Sequence, residues 1–237
     1  MEAINMTEKK SLDFNFLDES PKQAGEKASA EVVAHPVATL GEKVNFFRYL
    51  KECYTNFNAF CRKYLGVKNP PYLIVLIWVF GMGSAADRLI GSLQDYTSWG
   101  EIWAIVLFGG ILAGALGYFI GGWWYNVRVG WSKGKENVEM ARGIYLFTSL
   151  PVALVSILSL ALNQMAYGQD YLDYYYSDAS TVDLLVFFVL LAAYFYTIRL
   201  SYKAVREVMG AERQRAIGWF IVLPSVFYGG LILLSAM

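Results

Sequence analysis

Charged side chains are scarce in most of this sequence. They make up 17% of the 237 residues, whereas a soluble domain usually carries about 25%. Those present concentrate in the first 70 residues and in two short loops, which leaves long apolar stretches between them. This distribution argues against a soluble globular domain and predicts an integral membrane protein.

Histidine and cysteine are also nearly absent. The single histidine, His35, lies in a polar N-terminal region, and Cys53 and Cys61 are eight residues apart. That spacing fits neither a metal-ligand pair nor a redox motif, and the sequence has no Walker loop or HExxH motif. We therefore predict a protein that is not an enzyme and needs no cofactor or metal. No nucleic-acid partner is expected.

Five apolar segments are long enough to cross a bilayer, whose hydrocarbon core of about 30 Å requires about 20 helical residues. The predicted fold class is all-α: a polytopic membrane domain with five transmembrane helices in residues 69–237. The predicted spans are residues 72–90, 99–125, 143–162, 184–201 and 216–236.

Two different segments precede the spans. Residues 1–41 are polar, and their composition predicts a disordered cytosolic tail. In residues 42–68 aromatic and aliphatic side chains recur at helical spacing among basic ones, which predicts an amphipathic helix. The sequence leaves two positions open for this helix: it lies in the membrane interface, or it packs against the cytosolic ends of the spans.

Basic residues alternate between the two sides of the predicted spans. Arg62, Lys63 and Lys68 precede the first span, and the loops after the second and fourth spans carry four Lys or Arg residues each. Residues 163–183 carry none. Because Lys and Arg accumulate on the cytosolic side, this pattern predicts a cytosolic N-terminus and a C-terminus outside.

The second span contains a stripe of glycines at intervals of four, three and four residues, which places them on one helical face. Small residues at this spacing let helix backbones approach closely inside lipid. We interpret the stripe as a helix-packing seam, and the wall of a cavity or gate is the alternative. The glycines are Gly110, Gly114, Gly117 and Gly121.

Two pairs of stretches in the chain resemble each other. Residues 121–131 and 192–202 share a pattern of small, aromatic and basic residues, and residues 142–151 match residues 215–224. We interpret the pairs as a duplicated hairpin, spans two–three and four–five. Each copy contains a proline that removes a backbone hydrogen bond and predicts a helix kink. The two kink positions are Pro151 and Pro224.

Two sets of residues at the predicted cytosolic face are candidate binding groups. The matched arginines of the hairpins are suited to lipid phosphates or to an acidic partner helix, and the alternative is that they only fix the topology. They are Arg128, Arg142, Arg199 and Arg215. Aromatic residues beside them are predicted anchors in the membrane interface, namely Trp123, Trp124, Trp131 and Tyr202.

Three features together resemble the Yip1 family of small membrane proteins. They are the glycine-rich second span, the basic loop that leads through Arg142 to Leu150 and Pro151, and the segment 202–206 that leads to residues 220–224. The resemblance covers about residues 69–237 and implies five closely spaced spans after a cytosolic N-terminal region. The Asp-Leu-Tyr-Gly-Pro signature of the eukaryotic trafficking members is absent, so the resemblance is to bacterial members, some of which work beside transporters.

The protein is predicted to act by binding other membrane components rather than by catalysing a reaction. We expect a membrane adaptor or a stabilising subunit of another membrane complex, with membrane lipids and another membrane protein or transporter complex as partners. The alternatives are a transport component, such as a small permease or channel subunit, and a lipid-handling protein. The spans have no ionisable residue near mid-depth, which argues against proton-coupled transport. The predicted location is the inner membrane if the chain is bacterial, and homo-oligomerisation is left open.

Overall fold

The computed structural model describes residues 45–65, 70–173 and 181–227, apart from the side chains of Gln94, Asp173 and residues 181–183. Within these ranges the chain is helical and contains no strand. The predicted tail in residues 1–41, residues 174–180 and the last ten residues of the chain lie outside the described residues.

Residues 45–65 form the first described element, which we call the arm. Helix α1 (Phe46–Thr55) begins at Asn45, whose side-chain oxygen accepts a hydrogen bond from the backbone N–H of Phe47 at 2.9 Å. This is the usual way in which asparagine satisfies an open helix start. Asn56 interrupts the helix, and α2 (Phe57–Phe60) then continues as a π-helical turn, Cys61–Leu65.

Helices long enough to cross a membrane follow the arm. Four of them meet that criterion by length and hydropathy in the described part of the chain. They are α3 (Leu73–Ile90), α4 (Trp99–Trp131), α5 (Val138–Tyr167) and α7 (Thr181–Glu207), with the short helix α6 (Asp170–Asp173) between the last two.

The predicted fifth span begins as a helix. Helix α8 (Arg213–Ile217) continues through a π-helical turn, Gly218–Val222, and the chain remains helical to residue 227. The rest of the predicted span, residues 228–236, lies outside the described residues. The structure therefore shows four candidate membrane helices and the start of a further helix where the sequence predicts a fifth span.

Helix α5 lies at the centre of the bundle. It packs against α3 on one side and α7 on another, and α3 also packs closely against α4. Ile144, Leu146 and Phe147 of α5 are fully buried. By contrast, α4 exposes large apolar side chains such as Phe108 and Leu112 on its outer surface, as expected of a helix that faces lipid.

Helices α3 and α4 cross at glycines on both sides. A Cβ atom at Gly81 of α3 would overlap the backbone of Gly110 and Gly114, and one at Gly114 would overlap the carbonyl oxygen of Ile77. The two backbones are therefore in direct contact, which only glycine permits here. Gly117 lies against the ring of Phe80, also in α3. The structure adds Gly81, which the sequence analysis did not select.

The fourth glycine of the stripe faces a different helix. A Cβ atom at Gly121 would meet the ring of Tyr145 in α5, at 2.5 Å. The reason is a change of helical register, because α4 contains two π-helical turns, Ile105–Gly109 and Gly117–Gly121. Each π turn adds a residue to the turn and rotates the residues that follow it. Gly110, Gly114 and Gly117 therefore lie against α3, whereas Gly121 lies against α5.

Candidate functional site

A polar groove runs between α3, α5 and α7. It consists of two adjoining cavities with volumes of about 170 and 220 Å³ that share Asp87 and Ser156. Eight further polar side chains that line it are Ser84, Tyr145, Ser149, Ser159, Asn163, Tyr171, Tyr194 and Thr197.

Asp87 supplies the groove with a carboxylate. It is the fifteenth of the 18 residues of α3, so it lies about 21 Å along a helix that rises 1.5 Å per residue. The hydroxyl of Ser156 donates to its Oδ1 at 3.5 Å. Within the described ranges, no Lys or Arg nitrogen lies within ion-pairing distance of this carboxylate.

Asn163 lies in the groove four residues from the end of α5, and its side chain is only 3% exposed. Its Oδ1 is buried and accepts no hydrogen bond from any residue that the structure describes. Ser159 and Ser156, one and two turns earlier in α5, are also buried. Buried polar oxygens almost always have a partner, so this oxygen marks a place where a ligand or water is expected.

The sequence contained a signal for this groove that the analysis did not use. Tyr145, Ser149, Ser156, Ser159 and Asn163 follow one another at intervals of four, seven, three and four residues, which puts them on one face of a helix. The groove becomes visible only when α3 brings Asp87 against this face.

The four matched arginines have different surroundings. Arg128 lies over the rings of Tyr125 and Phe220, with its guanidinium carbon 5.3 and 4.9 Å from their centres. Arg142 lies over the ring of Phe119 at 4.9 Å. Arg199 is exposed, and Arg215 forms an ion pair with Glu212 at 3.3 Å. These contacts differ from one arginine to the next.

The two basic loops are joined to each other by backbone hydrogen bonds. The N–H of Lys135 donates to the carbonyl of Met209 at 2.7 Å, and the N–H of Glu212 donates to the carbonyl of Ser132 at 2.9 Å. Glu212 also pairs with Lys133 at 3.3 Å. We call this end of the bundle the basic end, and the end formed by Ile90, Trp99 and Tyr167 the opposite end.

The predicted interface anchors lie on the outside of the basic end. Trp123, Trp124 and Trp131 are between 41% and 53% exposed. The ring of Trp131 contacts Trp124 at 5.3 Å and also Trp219 at 4.5 Å. Trp219 extends this aromatic surface, and the sequence analysis did not select it. Tyr202 is half-buried, with Arg206 over its ring at 5.9 Å.

The arm packs its aromatic face onto the basic half of α5. The rings of Tyr49 and Phe60 contact Phe147 at 5.9 and 4.9 Å. At the other edge of the arm, Arg62 donates to the backbone carbonyl of Glu207 at 2.8 Å. Because Glu207 is the last residue of α7, this cation satisfies an open helix terminus.

Titratable groups of the arm are shifted in opposite directions. Burial raises the pKa of the Cys53 thiol, which has no exposed surface. Partial burial also acts to raise the pKa of Glu52. In that case hydrogen bonds from Tyr64 and Arg48, together with the charge of Lys63, outweigh burial and hold the pKa below its usual range. The thiol is therefore neutral and the carboxyl is ionised near neutral pH.

The apolar surface of the helices and their lengths define a helical, multi-pass integral membrane protein. A family model described as the Yip1 domain matches residues 68–236. This match covers well over half of the chain, and the chain belongs to the Yip1 family. No curated protein and no solved structure matches the chain significantly.

Proposed function

We propose that this protein is a non-enzymatic membrane adaptor, or a stabilising subunit of another membrane complex, in the inner membrane if the chain is bacterial. It crosses the membrane five times, with the N-terminus in the cytosol and the C-terminus outside. The basic loops and the arm then lie on the cytosolic side. The observation that supports this function best is the way in which the arm is held.

The arm is fixed to the bundle through its aromatic face and presents its other face outward. Tyr49, Cys53 and Phe60 are buried, whereas Phe47 is 80% exposed and the side chain of Arg48 is 76% exposed. Lys51 is exposed beside them. We call these three outward residues, Phe47, Arg48 and Lys51, the outer face of the arm.

A face of this kind is suited to binding a partner. Because the arm is already ordered, binding does not have to supply the conformational entropy of ordering a helix. An exposed aromatic ring beside two cations favours an acidic partner surface or anionic lipid headgroups. We assign the outer face of the arm to the contact with a membrane partner.

The test is to purify the protein from native membranes in a mild detergent and to identify the proteins bound to it by mass spectrometry. The variant Phe47→Ala/Lys51→Glu removes the ring and reverses one charge, and Arg213→Glu is the control because it reverses an exposed charge elsewhere. We expect a stoichiometric membrane partner with wild type and control, and roughly tenfold less with the double variant. A protein that is isolated alone, or a control that loses the partner equally, would falsify this assignment.

The topology has a separate test. Single cysteines at Asp170 and at Lys135 are placed in a chain without Cys53 and Cys61, and labelled in intact cells with a membrane-impermeant maleimide. We expect labelling at residue 170 and none at residue 135 until the membrane is permeabilised. The reverse pattern would invert the orientation and move the arm outside.

A transport component is the second candidate, and the polar groove favours it. A transporter needs a polar cavity between its spans, and Asp87 lines such a cavity. Uptake into proteoliposomes distinguishes the two functions, because an adaptor carries no flux without its partner.

A further inference from the structure

We propose that the polar groove binds a monovalent metal cation of the alkali class, with the carboxylate of Asp87 as its charged ligand. The oxygens of Ser156, Ser159 and Asn163 are the neutral ligands. This inference goes beyond the adaptor function and does not depend on it.

The first argument is charge. Asp87 is an exposed residue near the end of α3, and an ionised carboxylate within the span of a membrane helix is unfavourable unless it is paired or hydrated. Ser156 gives Asp87 one long hydrogen bond of 3.5 Å, and no described Lys or Arg forms an ion pair with it. A bound cation supplies the missing charge.

The second argument is the unpartnered oxygen of Asn163. This side chain is 97% buried, since its exposed fraction is 3%, and its Oδ1 has no hydrogen-bond donor among the described residues. It lines the same cavity as Asp87, Ser156 and Ser159. An amide oxygen that is buried without a donor and faces a polar cavity is a ready ligand for a cation.

The groups that line the groove are of the kind that bind hard cations. All of these groups offer oxygen atoms, which hard cations prefer, whereas softer transition metals favour imidazole and thiolate. In the described ranges, no group of three His, Cys, Asp or Glu residues is placed to hold a metal ion. Asp87 is the one carboxylate among the residues that line the two cavities, and a single negative charge matches a single positive one.

The position of the groove provides a route for the ion. Asp87 is three residues from the end of α3, and Asn163 is four residues from the end of α5. Both lie towards the opposite end of the bundle, and Tyr145 and Thr197 line the deeper part towards the basic end. A cation therefore enters from the opposite end.

Binding is measured on the purified full-length protein in lipid nanodiscs with radioactive sodium, and by the Tm in NaCl, KCl or choline chloride at constant ionic strength. We expect saturable binding and a Tm that rises with Na⁺ or K⁺ but not with choline. Asp87→Asn should weaken the affinity by about 100-fold or more, and Asn163→Leu by about 10-fold. The control Asp95→Asn removes an exposed carboxylate outside the groove and should leave binding unchanged.

The proposal is wrong if the protein binds no sodium and its Tm is the same in all three salts. It is also wrong if Asp87→Asn binds sodium as tightly as the wild type. A Tm that responds only to pH would show that Asp87 is held as a neutral acid, which would likewise contradict the proposal. If Asp87→Asn does not fold, Asn163→Leu decides, because it keeps the carboxylate and nearly the same side-chain volume. None of these results affects the partner-capture experiment, so the two proposals fail separately.

Discussion

The hydroxyl of Tyr54 donates a hydrogen bond to the backbone carbonyl of Phe147 at 3.3 Å. Phe147 lies four residues before Pro151, inside the continuous helix Val138–Tyr167. Because proline has no N–H, this carbonyl lacks its helical partner. The arm therefore supplies the hydrogen bond that the proline of α5 removes, and the arm and the helix stabilise each other.

This relationship predicts a coupling between Tyr54 and Pro151. Tyr54→Phe should destabilise the protein by about 1–2 kcal/mol, because it leaves a half-buried carbonyl without a donor. In the Pro151→Ala background the helix can satisfy the carbonyl itself, so Tyr54→Phe should then lower the free energy of unfolding by clearly less. Thermal unfolding of the four proteins in detergent gives the interaction energy. Equal costs in both backgrounds would show that the tyrosine acts only by packing.

The glycine crossing predicts opposite effects for two substitutions of the same kind. Gly114→Ala places a methyl group against the carbonyl of Ile77 and should destabilise the protein by about 1–3 kcal/mol through overpacking. Gly218→Ala meets nothing within 4 Å and should be neutral or stabilise by up to about 1 kcal/mol. Tm values in the same detergent make the comparison. A stable Gly114→Ala protein would argue against direct backbone contact of α3 and α4.

The buried thiols of the arm predict slow chemical modification. Cys53 and Cys61 have no exposed surface, and burial raises the pKa of both thiols, so the reactive thiolate is rare. A small alkylating reagent should modify them about 100-fold or more slowly than a cysteine introduced at Lys51 in a chain without the native pair. Phe60→Ala, which removes a ring between the arm and α5, should accelerate the reaction.

Rapid modification of the native thiols in the folded wild type would show that the arm leaves the bundle often. In that case its outer face would not be a fixed surface.

The acid sensitivity of the arm should depend on Glu52. Its pKa in the folded protein is below the usual value, so its contribution to stability is present above the unfolded pKa of about 4.3 and is lost as the pH falls through the folded pKa. Hydrogen exchange of the arm amides, corrected for the intrinsic rate, should therefore increase below about pH 4. Glu52→Gln should remove this pH dependence, and identical profiles for the two proteins would contradict it.

Much of the architecture follows from the sequence because the bilayer imposes a length and excludes charge. The described residues are helical and contain four candidate membrane spans, and the family-model match confirms the predicted Yip1 family. Helices α4, α5, α7 and α8 extend beyond the predicted spans at their basic ends, whereas α3 does not. For example, α4 extends to Trp131 rather than residue 125, because hydropathy detects only the part inside hydrocarbon and a helix continues where its backbone bonds can.

The remaining features depend on how the helices meet. The contact of Gly121 with α5 results from a π turn, which the glycine spacing does not indicate. The groove requires Asp87 of one helix to meet Ser156 of another, which neither helix shows alone. The predicted hairpin duplication gives equivalent positions with unequal neighbours: Phe147 contacts the arm, whereas Phe220 contacts Tyr125 and Arg128.

The pairing of the two basic loops has a mechanical consequence. Backbone hydrogen bonds between Lys135 and Met209, and between Glu212 and Ser132, join α4 and α5 to α7 and α8 at the basic end. Because the long helices are joined at this end, a small rotation there produces a larger separation at their opposite ends. If the two hairpins rock against each other, the gap widens most beside Asn163, so the paired loops of the basic end act as the pivot of this motion.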